Sequence, residues 1–192
     1  DALARARGVE QAAARRGRLL HRLVELLPEV APDARRSRAA SHLDRFAGDL
    51  APEDRTAILA AVFAVLDDPG FAPVFGPGSR AEVAIVGELP VGNGPPVRVF
   101  GQIDRLVSGP DGMMIVDFKT DRIVPDRVRE AYATQLALYR AVLSRLSPGV
   151  QIRAAILWTS APRLDEVDPV ELDGLVTRLV TNMGSPPPGA RP

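Results

Sequence analysis

The chain has 192 residues, and 24 Lys and Arg against 24 Asp and Glu leave no formal net charge. Hydrophobic residues make up 46%, enough for a packed core and more than a disordered chain carries. The absence of cysteine excludes a disulfide framework, a thiolate zinc site, an iron–sulfur cluster and a cysteine nucleophile. No apolar run reaches the roughly 20 residues of a membrane span and no signal-peptide pattern opens the chain, so a soluble, intracellular protein is expected. Charge balance argues against an autonomous DNA-coating protein, because phosphate neutralisation calls for a cationic surplus; a local basic patch stays open.

Lys119 is the one lysine in the chain, every other basic side chain being arginine. Richness in Ala, Arg, Gly and Pro points to a genomic preference for arginine codons. Against that background a surviving lysine marks a position that calls for a compact ammonium with a movable pKa.

Residues from Ala2 to Leu66 read as helical, broken at Pro28, Pro32 and Pro52, with Leu19, Leu20, Leu23 and Leu27 at helical spacing. Asp33 and Ala51-Pro52 read as starts of two further helices. The stretch from Asp68-Pro69-Gly70 to Gly76-Pro77-Gly78 is a connector dense in breakers. Glu82–Leu89, Val97–Val107 and Met113–Lys119 are short and rich in Val and Ile. The separators Gly92-Asn93-Gly94-Pro95-Pro96 and Gly109-Pro110-Asp111-Gly112 make them a three-stranded antiparallel meander. A long amphipathic helix follows Pro125 and runs to Leu146, Ile152–Trp158 reads as a strand buried on both faces, and a last helix spans Pro169–Met183 after Asp168. The tail 185–192 is rich in Pro and Gly and is expected to be disordered. The order helical lobe, β, β, β, α, β, α predicts an α/β domain with a mixed sheet. Its expected divisions are a helical lobe over 1–78 and a core over 79–184.

On the third strand, in Val116-Asp117-Phe118-Lys119-Thr120, Asp117 and Lys119 share a face. That face is otherwise apolar at Met113 and Ile115, so the two charges need each other, solvent or a metal ion. Folding the hairpin about Pro110-Asp111 sets Asp104, in Gly101-Gln102-Ile103-Asp104-Arg105, opposite Asp117 within a residue or two. Two facing carboxylates repel unless a cation lies between them, and a hard divalent ion accepts such oxygens. From spacing alone, a cross-strand salt bridge of aspartate with Lys or Arg, joined by Asp121-Arg122, stays equally open.

Gln135 and Tyr139 are one turn apart on the long helix, with Tyr132 just before them, and could reach over the sheet edge towards a phosphate. An ordinary amphipathic boundary with Tyr at the rim of the core is the other reading. His21 lies in Gly17-Arg18-Leu19-Leu20-His21-Arg22-Leu23, beside a basic run of Arg15, Arg16, Arg18 and Arg22. A lone helical histidine is ordinarily a satisfied or solvated imidazole, the reading given to His42.

The ordered set formed by G-R-L-L-H-R-L around His21, G-Q-I-D ending at Asp104, V-D-F-K-T at 116–120 and Q-L-A-L-Y at 135–139 resembles the RecB-like nuclease branch of the PD-(D/E)XK superfamily. Within that branch it is most similar to the C-terminal nuclease domain of the AddA subunit of bacterial AddAB helicase–nucleases, over about residues 15–160. The resemblance implies a restriction-endonuclease-like core, a mixed central sheet built as βββαβ, with an N-terminal helical lobe. It implies catalytic Asp104, Asp117 and Lys119, and metal ligands His21, Asp104, Asp117 and the Phe118 carbonyl. Gln135 and Tyr139 fall on a supporting pair that positions Lys119 or DNA, and Glu82 falls where relatives often carry an acid.

The implied activity is an exonuclease using Mg²⁺, or Mn²⁺, on single strands unwound by a helicase motor of the same polypeptide, in recombinational repair of double-strand breaks. An AddB-like partner subunit and a bacterial cytoplasm beside the nucleoid complete the expectation, with no membrane. Lacking cysteine, the chain departs from relatives stapled by an iron–sulfur cluster, and with one lysine outside any P-loop pattern it leaves ATP use to a motor beyond these residues. Two alternatives are a non-catalytic DNA-binding or scaffolding domain of the same fold and a stand-alone RecB-like exonuclease. A purely structural module held by salt bridges is the reading from a third class.

Overall fold

Three prolines punctuate the N-terminal third, and the helices break at them because proline lacks the amide hydrogen a continuing helix needs. The computed structural model describes residues 2–92, 94–121 and 126–184. It gives helices α1 over Ala2–Leu26, α2 over Arg35–Phe46 and α3 over Pro52–Leu66, with 3-10 turns at Leu27–Glu29 and Pro32–Ala34. α3 opens with Pro52 in its first turn beside Glu53 and Asp54, acids suited to the positive end of the helix dipole. Leu20, Leu23 and Val24 of α1, Leu43 of α2, and Ile58 and Val62 of α3 are buried, and α1 lies against α3. The breaker-rich stretch after α3 is more ordered than its composition suggests. Pro69–Phe75 forms a 3-10 helix that buries Phe71 and Val74, and the Asp68 carboxylate caps it by accepting from the Gly70 amide.

The strands are β1 over Ser79–Val91, β2 over Gly94–Gly109, β3 over Gly112–Lys119, β4 over Ile152–Trp158 and β5 over Arg163–Glu166. Helix α4 spans Asp126–Leu146 and α5 spans Pro169–Gly184. The sheet order is β1-β2-β3-β4-β5. β1, β2 and β3 form the expected antiparallel meander, with Gly109 paired to Gly112 across the second turn. β3 and β4 are parallel: Met113 donates to the Gln151 carbonyl and Thr159 to the Lys119 carbonyl, both at 2.8 Å. A parallel pair needs a crossover, and α4 supplies it. β4 is buried along nearly its whole length, as its continuous apolar run predicts. Asp168 starts α5 by accepting from the Val170 amide at 2.7 Å.

Two features differ from the sequence reading. β1 begins at Ser79, so Glu82 lies inside the strand and not at its opening. β5 was not expected, because four residues reading Arg-Leu-Asp-Glu carry no hydrophobic run; charge of this kind suits an edge strand. The proposed disordered tail 185–192, along with Asn93 and Arg122, lies outside the described residues. Among the described residues no single helix is long and apolar enough to cross a membrane.

The chain clusters into two compact units. The first takes Asp1–Pro77, Phe118–Arg122 and Leu157–Leu164; the second takes Gly78–Asp117, Ile123–Ile156 and Asp165–Pro192. The helical unit thus includes two short segments that the division at 78/79 leaves with the core. In the second unit, α4 packs against β1, β2 and α5. Its approach to the sheet is close at two glycines. A Cβ on Gly87 would collide with Val142, and one on Gly101 would collide with the Tyr139 hydroxyl.

Candidate active site

The register of the meander builds a row of acids. Arg105 pairs with Val116 across β2 and β3, and the same register continued by one residue sets Asp104 opposite Asp117. Opposed residues of an antiparallel pair share a face, with Cβ atoms about 4.5–5.5 Å apart. Across β1 and β2, Ala81 pairs with Arg105 and Val83 with Ile103, which brackets Glu82 beside Asp104. One carboxylate oxygen of Glu82 lies within 4.8 Å of one of Asp104. Three neighbouring strands therefore contribute Glu82, Asp104 and Asp117 to one row, and all three belong to the second unit.

The surroundings differ along the row. Asp117 is only 5% exposed, between buried Val116 and Phe118, while Glu82 and Asp104 are half-buried. Glu82 has φ +53°, a left-handed conformation that costs a non-glycine residue roughly 1–3 kcal/mol. The Gln102 side-chain amide donates to the Glu82 carbonyl at 3.4 Å. That hydrogen bond ties the irregular residue to the strand carrying Asp104, and it gives the glutamine of G-Q-I-D a structural role. Gathering acids in a partly desolvated row is unfavourable without a cation. The Glu82 and Asp104 oxygens lie close enough for one divalent ion to reach both, so this pair of donors fits a hard ion.

Lys119 follows Asp117 by two positions on β3, and so lies on the same face of the strand. Its carbonyl accepts from the Thr159 amide at 2.8 Å and from the Thr159 hydroxyl at 3.1 Å. The next carbonyl, of Thr120, accepts from the Ser160 hydroxyl at 2.6 Å. These bonds, all within the first unit, pin the backbone that carries the ammonium. A cleft of about 460 Å³ opens beside this segment, lined by Arg16, Gly17 and Leu20 of α1 with Thr120, Asp121 and Ser160. Gly17 makes the approach possible, since a Cβ there would meet the Thr120 hydroxyl at 2.9 Å. His21 is half-buried on α1, its ring edge-on to Phe118 with centroids 5.6 Å apart.

Gln135 and Tyr139 lie together on the face of α4 that meets β2. The Gln135 amide donates to the Tyr139 hydroxyl at 3.4 Å, and that hydroxyl sits against Gly101. Position 101 faces the opposite side of β2 from Asp104, because side chains alternate along a strand. The glycine of G-Q-I-D is therefore explained by the close approach of Tyr139.

Sequence reasoning left Glu82 without a role. Its signal was weak: one acid in a Val- and Ala-rich strand, with nothing to announce the left-handed backbone.

The chain matches the family described as the PD-(D/E)XK nuclease superfamily over residues 2–181. It belongs to the PD-(D/E)XK nuclease superfamily. The α/β architecture with its five-stranded mixed sheet is consistent with the restriction-endonuclease-like fold of that superfamily. A solved structure described as "Crystal structure of SSO0001" is 18% identical, over 86% of this chain and 77% of that one, with a TM-score of 0.37. No curated protein matches the chain. For a PD-(D/E)XK superfamily member, a divalent ion is the expected cofactor, and the acidic row provides oxygen donors for it.

Proposed function

We propose that the chain is a metal-dependent deoxyribonuclease that hydrolyses phosphodiester bonds with Asp104, Asp117 and Lys119. The observation carrying the reading is the register that sets Asp104 between Glu82 and Asp117, with Lys119 two residues further along β3. Asp104 and Asp117 hold Mg²⁺ or Mn²⁺, with Glu82 as a third carboxylate. The Phe118 carbonyl and the His21 imidazole are the further donors that the resemblance to RecB-like nucleases implies. When bound, such an ion supplies Lewis acidity towards a phosphate and lowers the pKa of water.

The side chains do the rest. Burial of Asp117 limits water around its carboxylate and sharpens its attraction for a cation. Lys119 presents a compact ammonium that orients the attacking water and offsets charge developing on the phosphate. Gln135 and Tyr139 act as positioning residues, holding β2 from the side opposite Asp104. No base readout is called for, since phosphate contacts position a strand without specifying its sequence.

The finer reading follows the motif order. We assign the chain to the AddA-like branch, as an exonuclease fed single strands by an attached helicase motor, with an AddB-like partner, in recombinational repair. ATP use belongs to that motor.

The test is cleavage of labelled single-stranded DNA with Mg²⁺, Mn²⁺ or EDTA, run beside Asp117→Asn and Lys119→Ala. Cleavage that needs the divalent ion and disappears in both variants supports the proposal. Binding without cleavage under every metal condition would favour a non-catalytic DNA-binding domain instead.

A further inference from the structure

The geometry points to a single-strand track on the helical unit: the groove between α1 and α2 binds the backbone of single-stranded nucleic acid, with Phe46 as a stacking platform for a base. The inference rests on the nuclease reading only for its choice of nucleic acid over other polyanions.

The groove, of about 400 Å³, is lined by Arg15, Arg18, Leu19, Arg22, His42 and Phe46. On α1, the lining positions 15, 18, 19 and 22 follow the spacing of one face; on α2, Arg38 and Arg45 flank the lining residues His42 and Phe46 at helical spacing. Not every charge here is available. Arg15 is held by Asp49, donating to both carboxylate oxygens at 2.6 Å, and Arg22 pairs with Glu25. Arg18 and Arg38 are exposed. The His42 imidazolium is disfavoured first by burial and then by Arg22 and Arg38.

Phe46 has no place in a core. It is 54% exposed at the end of α2, with the His42 ring tilted against it at 4.7 Å and the Arg45 guanidinium 5.3 Å from its centroid. An exposed aromatic face amid arginines suits a nucleobase whose backbone phosphates follow the arginines. Positive grooves that track the backbone, with aromatic rings on which bases stack, are how single strands are held without sequence preference. An acidic protein segment would satisfy the arginines and leave Phe46 unused.

The test uses the full chain carrying Asp117→Asn, in EDTA, with a fluorescent 20-nucleotide oligo-dT followed by anisotropy across a salt series. Removing Arg18 and Arg38 together as alanines is expected to weaken binding and to reduce the salt slope by about 0.7 for each phosphate no longer neutralised. Phe46→Ala is expected to weaken binding about fivefold or more, and to have little effect on an abasic oligonucleotide, a difference that a merely structural role for Phe46 does not produce. Unaltered thermal unfolding checks that the variants are folded. Oligonucleotide affinity equal to that of the parent in both variants would overturn the proposal. So would poly-glutamate competing as well as the oligonucleotide, which would assign the groove to an acidic protein segment. A chain that binds through Arg18 and Phe46 yet cuts nothing with Mn²⁺ would keep the groove and remove the nuclease.

Discussion

A carboxylate oxygen of Glu82 lies within 4.8 Å of one of Asp104, on neighbouring strands and beside the position of Asp117. Two carboxylates this close suit a shared cation. Replacing Glu82 by Gln keeps the shape and removes one charge. The expected outcome is Mn²⁺ affinity lowered about tenfold, because oxygen-ligand sites tune affinity through the number of charged ligands. Calorimetric titration with Mn²⁺ reads it.

Lys119 stands in a chain whose other basic side chains are all arginine. Arg presents a planar, delocalised fork, whereas an ammonium is a compact point charge. Lys119→Arg is therefore expected to cut DNA about 10²-fold more slowly, the scale on which one electrostatic contact to developing charge acts. Mn²⁺ binding is expected to persist. Single-turnover cleavage of a labelled oligonucleotide, paired with metal titration, separates the two effects.

Gly101 and Tyr139 test the packing that supports β2. A methyl at position 101 collides with the Tyr139 hydroxyl, and overpacking of this kind costs about 1–3 kcal/mol. Gly101→Ala is expected to lower the urea midpoint with the slope unchanged. Adding Tyr139→Phe removes the colliding oxygen and is expected to return part of the loss, a non-additive result.

His42 carries a pH prediction. Burial first, then Arg22 and Arg38, hold its pKa below the usual imidazole value. The folded state therefore binds this proton less readily than the unfolded chain. Its contribution to stability is fully present above the unfolded pKa of about 6.5 and is lost as pH falls through the folded pKa. NMR titration of the imidazole is expected to give a midpoint below about 6.5; Arg38→Ala is expected to raise it.

Much of this arrangement was legible in the sequence because strand geometry is local. The two-residue turn at Pro110-Asp111 fixed the β2–β3 register, and with it the Asp104–Asp117 pairing. β4 was readable because its apolar run has one burial outcome. Glu82 was not readable in the same way: its left-handed backbone depends on the partner strand and on the Gln102 amide, 20 residues away in the chain. β5 escaped because an edge strand need not be hydrophobic. Spacing puts Gln135 and Tyr139 on one face of α4, but which side of the sheet that face meets is a tertiary fact carried by Gly101. The same is true of the 3-10 helix at Pro69–Phe75, where two buried apolar side chains outweigh the breakers.

The central claim is that Asp104 and Asp117 share a divalent ion. Its most direct test is isothermal titration of Mn²⁺ into the wild-type chain and into Asp104→Asn, at one pH and ionic strength. The account predicts saturable binding in the wild type that disappears or weakens more than about tenfold in the variant, since half of the facing pair has lost its charge. Equal heats and equal affinities in the two proteins would contradict it.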